Sequence, residues 1–188
     1  MNGLRYGLMF RRLQPVLVVA AVAVSLSVAL LAKPAFQGAA GKETILKAAD
    51  ITPKIFPERV FYRGQVASVQ MRNTGGVHFA DDKYLLAGLV DVSGYSSGVR
   101  EKYKGYLLNE VHVDINHQAL APGAYGIGFV DGPKFIVTDL GSNNVIEVAA
   151  NKDADLKGPV PLQIAAGSDA GTYRLYLGRE YVTLTRTK

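Results

Sequence analysis

The chain has 188 residues, 48% of them apolar, with 20 glycines, 8 prolines and neither cysteine nor tryptophan. The lack of cysteine excludes a disulfide scaffold, a thiolate-ligated zinc or iron–sulfur centre and a thiol nucleophile. A formal charge of +5 raises the question of an acidic partner, which the positions of the charges decide.

Arg5, Arg11 and Arg12 precede an uncharged apolar run from Pro15 to Ala32, and small residues follow at cleavage spacing, Ser27 with Ala29 and Gly38 with Ala40. That order is the pattern of a secretory signal peptide. The alternative is an uncleaved anchor, because the run's 18 residues approach the least that spans about 30 Å of hydrocarbon as a helix. Either way the chain is expected in the periplasm or outside the cell, as one β-rich domain of residues 41–188 behind a leader and linker of residues 1–40. Membrane contact is expected only through residues 15–32. Four of the 21 Lys and Arg precede residue 41, while all 16 Asp and Glu follow it. The exported part then holds 17 basic and 16 acidic residues with no cationic stripe, so no nucleic-acid partner is expected. The basic balance belongs to the leader.

After a linker over residues 33–44, Thr44 to Asp50 suits one or two helical turns, closed before Pro53. From there the period is mostly two. Arg59 to Arg63 and Gln65 to Arg72 read as strands, bounded by Gly64 and by a turn expected at Asn73-Thr74-Gly75-Gly76, where glycine accepts positive φ. Val77 to Ala80 and Tyr84 to Val92 flank Asp81-Asp82-Lys83 as a hairpin. The nearly unbroken apolar run from Tyr84 to Val90 marks a central strand buried on both faces. Ser93 to Gly98 reads as a loop, and Val99 to Lys104 as a helical turn stopped at Gly105.

Tyr106 to Asn116 alternates cleanly, with Val111, Val113 and Ile115 one way and Glu110, His112, Asp114 and Asn116 the other. Leu120-Ala121-Pro122-Gly123 turns into Ala124 to Val130, and Asp131-Gly132-Pro133 returns the chain along Lys134 to Leu140, the strongest hairpin in the sequence. Val145 to Ala149, Pro161 to Ala165, Thr172 to Leu177 and Tyr181 to Arg186 bring the count to about ten short strands. With no long helix between them, the pattern predicts an all-β fold, an antiparallel β-sandwich or partly open barrel behind an N-terminal hydrophobic leader helix.

Several constellations suggest chemistry. Gly94-Tyr95-Ser96-Ser97-Gly98 matches the G-x-S-x-G elbow that exposes a serine nucleophile, but the alternating strands and helices of that fold are missing. A Gly/Ser-rich loop is the competing reading. His112 and Asp114 share a strand face and, with His117, form a candidate divalent-metal cluster; the competing reading is a solvated face. Asn151, Asp153 and Asp155 resemble the start of a calcium loop, but Leu156 and Leu162 stand where its glycine and terminal glutamate belong. Asp81 and Asp82 are adjacent carboxylates without a distant partner. Gly126 and Gly128 line one face of a strand and Tyr125, Ile127 and Phe129 the other. Such a glycine row admits another backbone, a helix or a ligand, making Tyr125, Gly126 and Gly128 the candidate ligand-binding residues.

Arg63-Gly64-Gln65, Ala80-Asp81-Asp82-Lys83 and Leu120-Ala121-Pro122-Gly123-Ala124-Tyr125-Gly126 resemble segments of small exported bacterial β-domain proteins of unknown function. The resemblance implies an exported β-domain and no activity. Together these features predict an exported binding or structural module, without a cofactor, for a small ligand or cell-envelope component. The alternatives are a small hydrolase using Ser96, a metal-dependent enzyme using His112 and Asp114, or a carrier of an apolar ligand.

Overall fold

A computed structural model describes residues 42–187. The expected leader helix, cleavage sites and most of the linker lie outside those residues. In chain order the first elements are β1 (Thr44–Lys47), β2 (Arg59–Tyr62), β3 (Gln65–His78), β4 (Tyr84–Val90), the helix α1 (Ser97–Lys102), β5 (Gly105–Asn109), β6 (Val113–Ile115) and β7 (Gln118–Leu120). They are followed by β8 (Gly123–Val130), β9 (Lys134–Thr138), β10 (Asn144–Ala149), β11 (Asn151–Lys152), β12 (Leu162–Ala166), β13 (Thr172–Leu177) and β14 (Glu180–Arg186). The fold is an all-β sandwich of two antiparallel sheets. The larger runs β1-β3-β4-β5-β8-β9-β10, with β2 paired to the first part of β3; the smaller runs β12-β13-β14-β6-β7, with β11 paired to β14.

Side-chain alternation gives the larger sheet two buried faces. Leu85, Ala87, Leu107, Ile127, Phe135 and Val137 point into the core between the sheets, where they meet Leu162, Ile164, Leu175, Val182 and Leu184. Leu86 and Tyr106 point the opposite way, into a second core with Phe56, Val60, Tyr62, Tyr95, Val99 and Tyr103. β2, the first part of β3, the segment 51–57 and α1 supply that outer layer. The apolar run at β4 is thus a strand covered on both sides, as its lack of alternation requires.

Three local expectations are corrected. Thr44 to Lys47 is a strand, not helical turns: it pairs with β3 (Ile45 opposite Val77, Leu46 opposite Gly76), and its two apolar side chains serve different cores. So short a segment cannot sustain a helix alone, and the free edge of β3 offers it backbone partners. Asn73 to Gly76 is not a turn but the middle of the long β3, where the register against β4 shifts between Val69 and Thr74. Gly75 and Gly76 serve close approach there, since a Cβ on Gly75 would lie 2.8 Å from the Ile164 amide of the opposite sheet. The alternating stretch Tyr106 to Asn116 is two strands in different sheets. Asn109 holds the corner: its side chain accepts from the Val111 N–H at 3.2 Å and donates to the Ala121 carbonyl at 3.1 Å. The alternation survives the corner because Val111, Val113 and Ile115 all enter the core between the sheets.

Candidate binding cleft

Within the larger sheet, the last part of β8 lacks a neighbour on its β5 side. β5 starts at Gly105, opposite Ile127 of β8, while β8 runs on to Val130 paired only with β9. Lys104 marks the end of the shared ladder: its N–H donates to the Ile127 carbonyl at 2.8 Å and its own carbonyl accepts from the Val90 N–H at 3.1 Å. Before Lys104 the chain is α1, whose last carbonyls lie over β8 instead of beside it.

Two adjoining spaces follow from this missing neighbour. Between the sheets, Leu89, Ile127, Phe129, Leu162, Leu175 and Leu177 line an apolar cleft with Lys104 and Tyr176. Its free volume is about 10 Å³, room for roughly one water. Lys104 and Phe129 also line a wider depression of about 370 Å³ with Glu101, Lys102, Val130, Asp131 and Ile136. Lys102 Nζ donates to Asn144 Oδ1 at 3.3 Å. Lys104 is half-buried, and among the described residues no carboxylate pairs with it. A cation therefore stands where an apolar cleft meets a polar depression.

On the smaller sheet Leu175 and Leu177 face the cleft, so Tyr176 between them turns its side chain to the sheet's other face. The Tyr176 hydroxyl donates to Asp153 Oδ2 at 3.0 Å and accepts from Arg174 at 3.4 Å. Arg174 in turn lies over the Tyr181 ring, 4.7 Å from its centroid. Burial pushes the Tyr176 hydroxyl above its ordinary pKa, so it is held there as a neutral hydrogen-bonding group.

No protein-family model, curated protein or solved structure matches this chain. The candidate site therefore rests on geometry, and the residues singled out from the sequence divide around it. Gly128 lines the cleft through its backbone, but the open face of the glycine row is filled by the chain itself. Gly126 lies under Tyr62 and Tyr103, whose atoms a Cβ would meet at 2.5 and 3.0 Å, and the Lys102 carbonyl rests directly on Gly128. Tyr125 is half-buried, donates to the Ala121 carbonyl at 3.0 Å and is raised in pKa by burial. The cleft lies on the other face of β8, the one that Ile127 and Phe129 present.

His112, Asp114 and His117 do not converge, and among the described residues no three His, Asp or Glu side chains gather as a metal cage. His112 is exposed and its carbonyl accepts from Thr187. Asp114 Oδ1 accepts from the His117 N–H at 2.6 Å, fixing the β6–β7 turn. Ser96 is exposed at the start of α1, where its hydroxyl makes no cap bond, and the neighbouring Tyr95 is buried with its hydroxyl on the Tyr62 carbonyl. Asn151 belongs to β11, and Asp153 holds Tyr176. Asp81 and Asp82 point to different partners, Arg186 and His78. Lys104 and Phe129 escape sequence reasoning because nothing near them in the chain says where β5 stops relative to β8.

Proposed function

We propose that the chain is an exported, non-catalytic binding module whose ligand occupies the cleft and depression beside Phe129 and Lys104. The observation that carries this reading is the missing neighbour of β8. It leaves an apolar wall from both sheets, a half-buried lysine, Lys104, that forms no ion pair among the described residues, and an adjoining space large enough for part of a ligand, the usual composition of a recognition site. The basic, apolar N-terminal segment supports export. The non-catalytic part is supported by the structural bonds of Asp114, Asp153 and Asp81.

Binding of 8-anilinonaphthalene-1-sulfonate, an apolar anion, by the full chain tests the site. Lys104→Ala removes the cation and Leu89→Phe narrows the cleft. Each is expected to weaken the dye about tenfold, equivalent to ~1.4 kcal/mol. Equal dye affinity in wild type and both variants would place any binding elsewhere and overturn the reading.

A further inference from the structure

Building on that cleft as the ligand site, we propose that its ligand is an extended peptide segment that adds to β8 as a short strand beside Phe129. In an antiparallel ladder the N–H and C=O of one residue point to the same side, and alternate residues point to opposite sides. Ile127 addresses the β5 side, because its carbonyl accepts from Lys104. Phe129, two residues on, addresses that side too. There β5 has ended, so the Phe129 N–H and C=O face the gap as a donor and acceptor with no strand opposite. An extended main chain is the ligand class that offers both groups at matching spacing.

The other sheet edges nearby are already covered. Asn116 Nδ2 and Gln118 Nε2 donate to the Ala149 and Glu147 carbonyls of β10, at 2.7 and 3.4 Å. On the opposite side β12 lies against β3 at Gly75. The gap at Phe129 is therefore a place, beside the cleft, where a strand can be added without displacing part of the fold. Its rim carries both signs, Lys102 and Lys104 with Glu101 and Asp131, which suits a peptide better than a singly charged amphiphile. The cleft behind it holds about 10 Å³, so the peptide residue turned inward is small, such as alanine or serine, and the outward neighbours are free to vary.

The test uses the isotopically labelled full chain and a pool of acetylated, amidated hexapeptides with alanine at alternate positions and random residues between. Binding is expected to shift the backbone amide signals of Phe129 and Val130 and to slow hydrogen exchange at Phe129. Two further pools carry N-methyl groups either on the alanines or on the random residues. N-methylation in one register is expected to weaken binding about tenfold while the other leaves it unchanged, because only alternate amides face β8. Absence of shifts at Phe129, or equal behaviour of the two methylated pools, overturns strand addition. If the sulfonate dye still reports on Lys104 and Leu89 in that case, the cleft stands as a binding site for another ligand class. If it does not, both readings fall.

Discussion

The Tyr62 hydroxyl lies 2.7 Å from the Thr138 hydroxyl, joining the β2–β3 hairpin to the last residue of β9. The Thr138 hydroxyl donates in turn to the Gly126 carbonyl at 3.3 Å, so the chain of donors runs from Tyr62 through Thr138 to the backbone. Both side chains are 0% exposed. Thr138→Val keeps the shape and strands the tyrosine hydroxyl in the core. The expected loss is about 1–3 kcal/mol, or roughly 2–4 °C of melting temperature per kcal/mol at this chain length. Thr138→Ser keeps the hydroxyl and loses less. Equal urea midpoints for the valine and serine variants would show that the bond contributes nothing.

Tyr103 stacks on Tyr62 with ring centroids 3.7 Å apart, yet its hydroxyl is buried without a hydrogen-bond partner among the described residues. Burial drives its pKa far upward, the signature of a polar group held away from water. Tyr103→Phe removes only that hydroxyl. The variant is expected to gain about 1 kcal/mol, opposite in sign to Thr138→Val in the same cluster. A loss of stability in thermal unfolding would mean that the hydroxyl has a partner, such as an ordered water.

Two glycines near α1 are expected to respond oppositely to alanine. On Gly128 a Cβ meets the Lys102 carbonyl, whereas on Gly98 it meets nothing within 4 Å. Gly128→Ala must push α1 off the sheet and destabilise the fold, and it should also disturb the cleft that Lys104 and Phe129 line. Gly98→Ala replaces a glycine of negative φ in the first turn of α1 and is expected to stabilise by roughly 0.4–1 kcal/mol through the unfolded chain's lost freedom. Comparable midpoints for the two variants in chemical unfolding would contradict the packing of α1 on β8.

The contrast between these glycines and their neighbours explains what could be read in the sequence. Asp131-Gly132-Pro133 and Asp81-Asp82-Lys83 announce hairpins because turn residues and the flanking period of two act locally. The apolar run at Leu85 to Leu89 announces double burial for the same reason. Gly75 and Gly76 misled because glycine signals a turn and a close approach alike: Gly76 is crowded by Leu85 and Leu86 of β4, and Gly75 by β12, almost 90 residues away in the chain. Tyr106 to Asn116 misled because both sheets bury the same core, so alternation continues through the corner at Asn109. The cleft was hidden because it arises from an absence, β5 beginning only at Gly105 while β8 runs on to Val130, and a strand end opposite another strand leaves no mark in either segment.

At the β6–β7 turn, Asn116 and His117 both have positive φ, 44° and 70°, the backbone of a two-residue type I′ hairpin. Asparagine tolerates that conformation, and glycine suits the second position better than histidine because it has no Cβ to crowd the backbone. His117→Gly is expected to stabilise the fold by up to about 1 kcal/mol. The same variant bears on the metal reading of His112, Asp114 and His117. With the side chains apart and Asp114 bound to the turn backbone, zinc content by elemental analysis is expected to be unchanged between wild type and variant. A stoichiometric metal lost on substitution would restore the cluster as a site.

Acid is expected to weaken the fold through carboxylates that native partners hold in their charged form. Both Arg186 guanidinium nitrogens reach Asp81, at 2.8 and 2.7 Å, and the hydrogen bond to Arg186 holds the Asp81 carboxyl below the usual carboxylate range. Asn143 does the same for Asp139, the Ser93 N–H for Asp91 and Lys134 for Glu147. Since folding lowers these pKa values, the unfolded chain takes up protons at higher pH than the native one. Their contribution is complete above the unfolded values, near pH 4, and is lost as the pH falls through the native ones. Arg186 also lies 4.7 Å over the Phe79 ring, so the pair ties the end of β14 to the β3–β4 turn. In urea unfolding measured stepwise from pH 7 to pH 2, Asp81→Asn is expected to lie below wild type at neutral pH and to fall less steeply in acid, the two curves converging once Asp81 is protonated. Parallel curves over the whole range would mean that the Asp81–Arg186 pair contributes no pH-dependent stability.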